Sequence, residues 1–495
     1  METELKFRIP AAALAGVRRA VATPSARRRA LAAVYFDTPD RRLAAAGLAL
    51  RLRREGGRWV QALKGRGDGV ALRLEHEVAL DDVRGEPALD PARHAGSAAG
   101  AALRAALRGG PALEEVFRTD VRRTHRRVRS AGAVIEIALD EGELRVGGAG
   151  GAGGRREAVR EIEFELVAGV PAALPALAAR WAGRHGLWWD VRTKAERGAW
   201  LAAGSPAVPA VRAAPSAVDP AAGTAAALAG MLRAGLAHAL PNAAEIAHGH
   251  GTVAHLHQLR VALRRLRSVL RECAHWGDDP AALRALEEGW RVPFGRLGSA
   301  RDADALAAAL GPRLAAIGAP PLPALPAAGP APRPEDVVRG ADFQDLLLRT
   351  LQLALAPAAV DRPLGPAAAD VLRRARKRAL AGHAGFVDAP AEQQHRTRKR
   401  IKRLRYAFEF LMPLYAAGPA RRLRDAVAAA GEALGLLNDL YVAGAAYETV
   451  LDDEPRAWFA LGWLAAERAR AAGDAAVALE ALARAPRPWA GKRRA

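Results

Sequence analysis

Two periods of apolar and polar residues divide the chain near residue 200. Before this point, short runs alternate with period two, at residues 2–9, 48–55, 59–65, 72–80, 133–140 and 161–167. Because such alternation places neighbouring side chains on opposite faces of a strand, the six runs predict an antiparallel sheet curled into a barrel. Helices are predicted at about 95–109 and 172–185, and the glycine cluster at 146–155 predicts a hairpin loop.

A helical period takes over beyond a segment rich in proline and alanine. The chain is therefore expected to be an α+β multidomain protein, with a β-barrel domain at 1–201, a linker at 202–219 and an all-helical domain at 220–484. A second proline-rich segment at 318–335 interrupts the helices, and a basic tail follows at 485–495.

The helical half repeats itself. The motif H-x2-R-x3-R-R-L-R that begins at His257 returns 138 residues later at His395 as H-x2-R-x3-K-R-L-R. The pair Leu297-Gly298 likewise returns as Leu434-Gly435, at almost the same offset. Two separated matches at nearly one offset predict two copies of a helical bundle, at about 220–317 and 340–484.

The net charge of the chain indicates the kind of partner that it binds. The 495 residues contain 74 Lys and Arg against 53 Asp and Glu, a net charge of +21 that predicts a polyanionic partner without identifying the polyanion. The single cysteine, Cys273, excludes a disulfide scaffold and a cysteine-built zinc site. The first residues show no signal-peptide pattern, and no run of 18 uncharged apolar residues occurs, so we expect a cytoplasmic protein without a membrane partner.

The predicted strands carry charged faces of both signs. Glu2, Glu4 and Lys6 share one face of the first strand, and the strands near residues 51 and 161 repeat the arrangement. Such faces form either an ionic barrel lumen or a highly charged exterior. A lumen of this kind could bind phosphate, because carboxylates hold Mg²⁺ or Mn²⁺ and cationic side chains neutralise phosphate oxygens.

The sequence Glu2-Thr-Glu4-Leu-Lys6 resembles the ExExK signature of the CYTH superfamily, the triphosphate tunnel metalloenzymes. Further similar motifs follow in the family's order: YFDTPD (35–40), GLALRLRR (47–54), ALKGR (62–66), RTDVRR (118–123), IEIALDEGE (135–143), EIEFEL (161–166) and TKAERG (193–198). The last of these is similar to the inorganic triphosphatase branch of the superfamily.

This resemblance implies roles for individual residues. The catalytic set would be Glu2, Glu4 and Lys6. Mg²⁺ or Mn²⁺ would be held by Glu2, Glu4, Glu161 and Glu163, with Glu136 and Asp140 completing the acidic side. Triphosphate oxygens would be bound by Lys6, Arg51, Arg53, Lys64, Arg123 and Lys194. Two alternatives stay open at this stage: Arg122 in place of Arg123, and Glu165 in place of Glu161 if the register is shifted by two.

In the helical half, each copy of the repeat carries a basic stripe beside an apolar one. Residues 260, 264, 267 and 271 are all arginine, at helical spacing, and border a stripe of leucines. The repeated stripe predicts a cationic groove, and its motifs resemble the CHAD domain, an all-helical family associated with polyphosphate binding. This resemblance implies a polyphosphate-binding set of His257, Arg260, Arg264, Arg265, Arg267, His395, Arg398, Lys402, Arg403 and Arg405.

The histidines of the stretch 248–257 lack the HExxH spacing of a zinc site, and we expect them to contact anions or helix ends.

No GxxxxGK[ST] loop is present, which disfavours a P-loop NTPase. The basic helices show no interleaved aromatic platform, so specific nucleic-acid recognition is not expected.

The sequence thus predicts a metal-dependent inorganic triphosphatase that hydrolyses tripolyphosphate to pyrophosphate and phosphate, with a helical module that binds long-chain polyphosphate. One alternative is a tunnel enzyme that acts on thiamine triphosphate or nucleoside triphosphates. Another is a non-catalytic polyphosphate-binding protein associated with polyphosphate granules.

Overall fold

The computed structural model describes residues 2–66, 72–80, 85–147, 154–204, 208–216, 218–298, 310–322 and 332–490. The side chains of residues 2, 66, 72 and 73 lie outside this description. Two compact units are present. Unit 1 comprises residues 1–212, 236–259 and 338–356, and unit 2 comprises 213–235, 260–337 and 357–495.

Unit 1 contains a nine-stranded antiparallel sheet. Its strands are β1 (Glu2–Arg8), β2 (Arg27–Asp37), β3 (Leu48–Glu55), β4 (Arg58–Arg66), β5 (Leu72–Leu80), β6 (Glu114–Ser130), β7 (Ala133–Val146), β8 (Arg155–Ala168) and β9 (Trp188–Trp189). The spatial order is β5-β4-β3-β2-β6-β7-β8-β1-β9, and β1 also pairs with β5. This last pairing closes the sheet into the barrel that the alternation predicts.

The two faces of the sheet have different chemistry. Leu5 and Phe7 are fully buried, and the Phe7 ring packs edge-on against Phe164 on the outer face of the barrel. The alternate residues of β1 and β8 therefore point into the lumen, where Lys6 lies opposite Glu163 in the register of the two strands. On β1 and β8, period-two alternation thus places apolar side chains outward and charged side chains inward. On β2 and β6, the inward face also carries the stacked rings of Tyr35 and Phe117.

Five helices accompany the barrel: α1 (Leu14–Val21), α2 (Arg42–Ala45), α3 (Ala98–Ala106), α4 (Ala173–His185) and α5 (Lys194–Ala203). The predicted helix near 95–109 is shorter than expected, because Ser97 caps the start of α3 and the helix ends at Ala106. Of the predicted glycine hairpin at 146–155, residues 148–153 lie outside the described part of the chain.

Helix α5 covers one end of the lumen. It starts with a capping box in which Thr193 and Glu196 satisfy each other's backbone N–H groups. A Cβ atom at Gly198 would lie 2.3 Å from the Phe117 ring, so only glycine permits this close approach of α5 to β6. Ala195 and Leu201 of α5 pack on the apolar cluster that contains Phe117.

The remaining described helices are α6 (Thr224–Ala247), α7 (Val253–Glu272), α8 (Pro280–Gly289), α9 (Arg291–Arg296), α10 (Pro334–Arg339), α11 (Ala341–Leu355), α12 (Leu364–Ala379), α13 (Ala391–Leu411), α14 (Ala417–Glu448) and α15 (Ala457–Arg484). Within unit 1, α11 packs on α4. Within unit 2, Leu263, Leu266 and Leu270 are fully buried, as the apolar stripe of α7 predicts.

Among the described helices, α14 is long and apolar enough to cross a membrane, with a mean hydropathy of 1.2 over 18 residues. Core helices of soluble proteins share this property. Here α14 packs against α13 and α15, and its Leu423, Val427 and Leu434 side chains are buried within unit 2.

Candidate functional site

Three carboxylates converge inside the barrel. Asp140 of β7 lies opposite Glu161 of β8 in the strand register, and Glu163 follows Glu161 on the same face. One oxygen atom from each of the three lies within 4.8 Å of the others. Asp140 and Glu161 are completely buried. Hard oxygen donors grouped at this spacing are suited to a divalent cation such as Mg²⁺ or Mn²⁺.

The ammonium group of Lys194 lies among these three carboxylates. Its Nζ atom is 2.8 Å from Asp140 Oδ2, 2.9 Å from Glu161 Oε2 and 2.9 Å from Glu163 Oε1. Burial alone would lower the pKa of Lys194, but the three carboxylates raise it well above its ordinary value. The first residue of α5 therefore neutralises the centre of the acidic cluster.

Two arginines complete the ion pairs of the cluster. Arg123 of β6 binds Asp140 in a bidentate manner, at 2.7 Å and 2.8 Å, and also pairs with Glu163. Arg197, one turn after Lys194 on α5, pairs with Glu161. Burial raises the pKa of Glu161, but Lys194, Lys6 and Arg197 together hold it well below its usual range.

Lys6 lies deep in the barrel wall, 3.5 Å from Glu161. Its ammonium also donates a hydrogen bond to the carbonyl oxygen of Arg192. Burial lowers the pKa of Lys6, although the nearby Glu161 partly offsets this effect. The carbonyl oxygen is thus a fixed second partner for an otherwise poorly solvated cation.

Strands β3 and β4 carry the other predicted cations, on a second part of the wall. Arg51 donates to the Tyr35 hydroxyl at 3.0 Å, Arg53 pairs with Glu77 at 2.8 Å, and Lys64 pairs with Glu75 at 2.9 Å. The carboxylates Glu75 and Glu77 are absent from the predicted site residues.

Among the described side chains, Glu136 and Glu4 do not belong to the group of three converging carboxylates. Glu136 pairs instead with His125 at 3.2 Å and with Arg127 at 3.4 Å. Glu4 lies opposite Glu165 in the strand register, and its charge contributes to the raised pKa of Arg123. The β1 backbone includes Glu2, whose side chain is outside the described residues. Sequence reasoning missed Arg197, although its spacing of three from Lys194 places both on one face of α5.

Unit 2 contains a concentrated cationic cluster on α7 and α13. The guanidinium carbons of Arg260, Arg264 and Arg267 lie 5.8, 6.0 and 5.5 Å from the centre of the Phe294 ring. Burial, together with the neighbouring Arg398, Arg264 and Arg260, lowers the pKa of Lys402 to about 7, although Asp439 opposes the shift.

Other residues of the predicted polyphosphate-binding set have protein partners. Arg265 is buried, pairs with Glu409 and lies over the Phe410 ring, so it serves packing and is withdrawn from the basic face. Arg267 pairs with Glu287 at 2.8 Å, and Arg405 pairs with Glu409 at 2.8 Å.

The two histidines of the repeat differ in their surroundings. His395 shares a hydrogen bond of 2.8 Å with the Asn438 side chain, and His257 is exposed on α7. Burial, together with Arg271, lowers the pKa of Arg403.

Comparison with protein families gives two matches. The model of the CYTH domain matches residues 1–199, and the model of the CHAD domain matches residues 230–448.

The solved structures that are similar to parts of the chain include the following three. The CHAD domain of the plant Ricinus communis is 29% identical, with 57% of this chain and 99% of that chain covered and a TM-score of 0.45. A putative adenylyl cyclase from Hippeastrum, described as having a dominant triphosphatase activity, is 22% identical, with 42% and 98% covered and a TM-score of 0.30. A putative adenylate cyclase from Bacillus halodurans is 16% identical, with 40% and 96% covered and a TM-score of 0.29.

Proposed function

This chain is a CYTH–CHAD protein, and we propose that its barrel is an inorganic triphosphatase. The reaction would add water to tripolyphosphate and release pyrophosphate and phosphate. One observation carries the proposal: the barrel lumen gathers Asp140, Glu161 and Glu163 within 4.8 Å and surrounds them with lysine and arginine side chains. A site for phosphate alone would need only the cations.

The three carboxylates fit a divalent cation in donor chemistry and spacing. Bound Mg²⁺ or Mn²⁺ would neutralise phosphate charge and polarise the phosphoryl group. Lys194 pairs with the same three carboxylates in this structure, so a metal ion would compete with its ammonium for them. A released Lys194 would then lie beside the phosphate groups, where a cation is also required.

The cations of β3 and β4 would bind the rest of the triphosphate. Arg51 and Arg53 present guanidinium groups that match phosphate oxygens in geometry, and Lys64 adds a third positive charge on the neighbouring strand. Their present partners are side chains of the barrel wall, and phosphate oxygens could replace these partners without leaving a buried cation unpaired.

The packing of two aromatic side chains beside the predicted cations supports an inorganic substrate over a nucleotide or thiamine triphosphate. Tyr35 and Phe117 are both buried, and their rings stack on each other with centroids 4.3 Å apart. Helix α5 covers Phe117 through Gly198. These two rings are therefore engaged in packing and present no face to a base or a thiazolium ring.

Phosphate release tests the proposal. Tripolyphosphate, ATP and thiamine triphosphate would each be incubated with the protein and Mg²⁺, Mn²⁺ or EDTA. We expect metal-dependent release from tripolyphosphate, and Glu163→Gln should lower its rate by roughly 10²–10³-fold because one carboxylate of the cluster is lost. Glu143→Gln is the matched control, since Glu143 lies outside the lumen and pairs with Arg145 and Arg156.

Two outcomes would contradict this assignment. Faster release from ATP or thiamine triphosphate would move the substrate to another class of triphosphate. No release from any of the three, with long-chain polyphosphate still bound, would favour the non-catalytic polyphosphate-binding alternative.

The helical unit is proposed to bind long-chain polyphosphate. The supporting observation is the crowding of cations around Lys402, where an anion would relieve repulsion and form charge-assisted hydrogen bonds. We expect the double variant Arg264→Ala/Lys402→Ala to weaken polyphosphate binding about a hundredfold, as the loss of two such bonds predicts. Calorimetry over a range of salt concentrations would measure the effect.

The matched control removes two other basic side chains of unit 2. Arg470→Ala/Arg484→Ala removes two exposed arginines that pair with Glu467 and Glu480 on α15. Equal weakening by both double variants would show that net charge, and not the cluster around Lys402, governs polyphosphate binding.

A further inference from the structure

A buried polar network in unit 1 joins the barrel to two residues from the CHAD part of the sequence. Asp190 and Arg192 lie between β9 and α5, Glu245 lies near the end of α6, and His248 follows that helix. His248 Nε2 and Asp190 Oδ2 are 2.9 Å apart, and Arg192 Nη1 donates to Glu245 Oε1 at 3.2 Å. Asp190 also accepts from the Arg192 backbone N–H at 3.0 Å.

The same segment holds Lys6 at two points. The Asp190 N–H donates to the Lys6 carbonyl oxygen at 2.9 Å, and the Arg192 carbonyl oxygen accepts from the Lys6 ammonium. The position of the Arg192 carbonyl therefore sets where the Lys6 ammonium lies, 3.5 Å from Glu161. Thr193 and Lys194 come directly afterwards in the chain, so the segment also leads into the start of α5.

The network is buried and its charges compensate one another. Asp190 is completely buried and Glu245 is 2% exposed. Burial raises the pKa of Asp190, but Arg192, Lys6 and the hydrogen bond from His248 hold it well below its ordinary value. Burial lowers the pKa of His248 to about 4, so the ring is neutral at pH 7 and its Nε2–H donates to Asp190.

We propose that Glu245 and His248 are positioning residues for Lys6, and that they act through Arg192 and Asp190. This inference rests on the proposed function, in which Lys6 binds triphosphate. It assigns the CHAD sequence a role in the barrel besides polyphosphate binding. Without His248, Asp190 would lose a buried hydrogen-bond donor, the segment 190–192 would shift to recover one, and the Lys6 ammonium would shift with it.

Kinetics of the full-length chain test the role of His248. We expect His248→Ala to raise KM for tripolyphosphate about tenfold, the lower end of what loss of an outer hydrogen-bond partner costs at a buried site. His248→Gln keeps an N–H donor and should restore most of the affinity. A purely structural role would instead lower the melting temperature and the active fraction, leaving KM unchanged.

His255→Ala is the matched control. His255 belongs to the same histidine-rich stretch, is 2% exposed and accepts a hydrogen bond from the Thr252 backbone N–H. Its other ring nitrogen lies 2.8 Å from the Val208 carbonyl oxygen. An equal rise in KM for His255→Ala and His248→Ala would overturn the proposal, because the effect would then follow from any buried histidine of this stretch.

A double-mutant cycle decides whether His248 acts through Lys6. In the Lys6→Ala background, His248→Ala should change the Kd for tripolyphosphate less than twofold, whereas independent effects would multiply and contradict the inference. If the unmodified protein binds no tripolyphosphate, the proposed function fails and the same cycle is measured on the free energy of unfolding. There, additive effects of His248→Ala and Lys6→Ala would refute the positioning network.

Discussion

Lys194 in the barrel and Lys402 in the helical unit are the same residue type with opposite pKa shifts. Three carboxylates surround Lys194 at 2.8–2.9 Å and raise its pKa well above the ordinary value. Burial and three neighbouring arginines lower the pKa of Lys402 to about 7. In the barrel, carboxylates therefore neutralise the cations, whereas the helical cluster has an excess of positive charge.

Under the proposed functions, this difference predicts two modes of anion recognition. In the barrel, a phosphate chain would replace carboxylates as the partners of the cations, so we expect binding to require a metal ion that pairs with those carboxylates. In the helical cluster, an anion would neutralise the excess positive charge around Lys402 and would not have to displace three carboxylates. Replacement of carboxylates in the barrel should favour a ligand of defined length and geometry. Simple pairing with the cations of the helical cluster should favour any chain of sufficient negative charge.

The largest expected effect compares the two lysines directly. Lys194→Met would leave three buried carboxylates without their central cation and should lower the free energy of unfolding by about 3–5 kcal/mol in EDTA. Lys402→Met should leave stability at or above that of the unmodified protein, because it removes a positive charge from among others. Denaturant unfolding at pH 7 measures both, and equal losses would remove the contrast between the two sites.

An intermediate effect is expected from pH. Lys402 faces Arg398, Arg264, Arg260 and Asp439, and a bound polyphosphate would raise its pKa above 7. Binding should therefore take up a proton, and the affinity should fall about tenfold, or one pKa unit, as the pH rises from 6 to 8.5. Lys402→Arg should remove this dependence in calorimetry, and its persistence there would assign the proton to another group.

The stability contribution of Lys402 should change with pH in the opposite direction. Between pH 7 and 10.5 the unfolded chain holds a proton on this lysine that the folded chain has lost, so the free energy of unfolding rises with pH. Below pH 7 both states are protonated and the folded state carries the full cost of the buried charge.

The smallest expected effect concerns the anchoring of α5. Thr193→Ala removes one half of the capping box that starts the helix at Lys194. We expect a loss of about 1 kcal/mol in the free energy of unfolding and no change in polyphosphate binding. A matched Thr449→Ala change, at the exposed end of α14, should have a smaller effect. A parallel loss of polyphosphate binding in Thr193→Ala would contradict the separation of the two sites.

Local periodicity was sufficient to predict the charged faces of the barrel and the apolar stripe of α7. Asp140, Glu161 and Glu163 come together because alternate residues on paired strands share a face, which sequence spacing encodes directly. Leu259 and Leu263 are fully buried for the corresponding helical reason.

Other features depend on contacts between residues far apart in the chain. Asp190 and His248 are separated by 58 residues, and nothing in either neighbourhood indicates that the other is its partner. Arg265 is basic like the residues of the stripe, but it follows Arg264 directly in the chain. The rotation of about 100° per residue turns its side chain toward Glu409 and Phe410. Such pairings are fixed by tertiary packing, which one sequence does not reveal.

The position of α5 near the end of the CYTH domain has a consequence for protein synthesis. Asp140, Glu161 and Glu163 leave the ribosome before Lys194 and Arg197, and Glu245 and His248 follow later still. Before residue 197 is available, the acidic cluster lacks two of its countercharges. We therefore expect the lumen of the nascent barrel to stay uncovered until α5 has been translated.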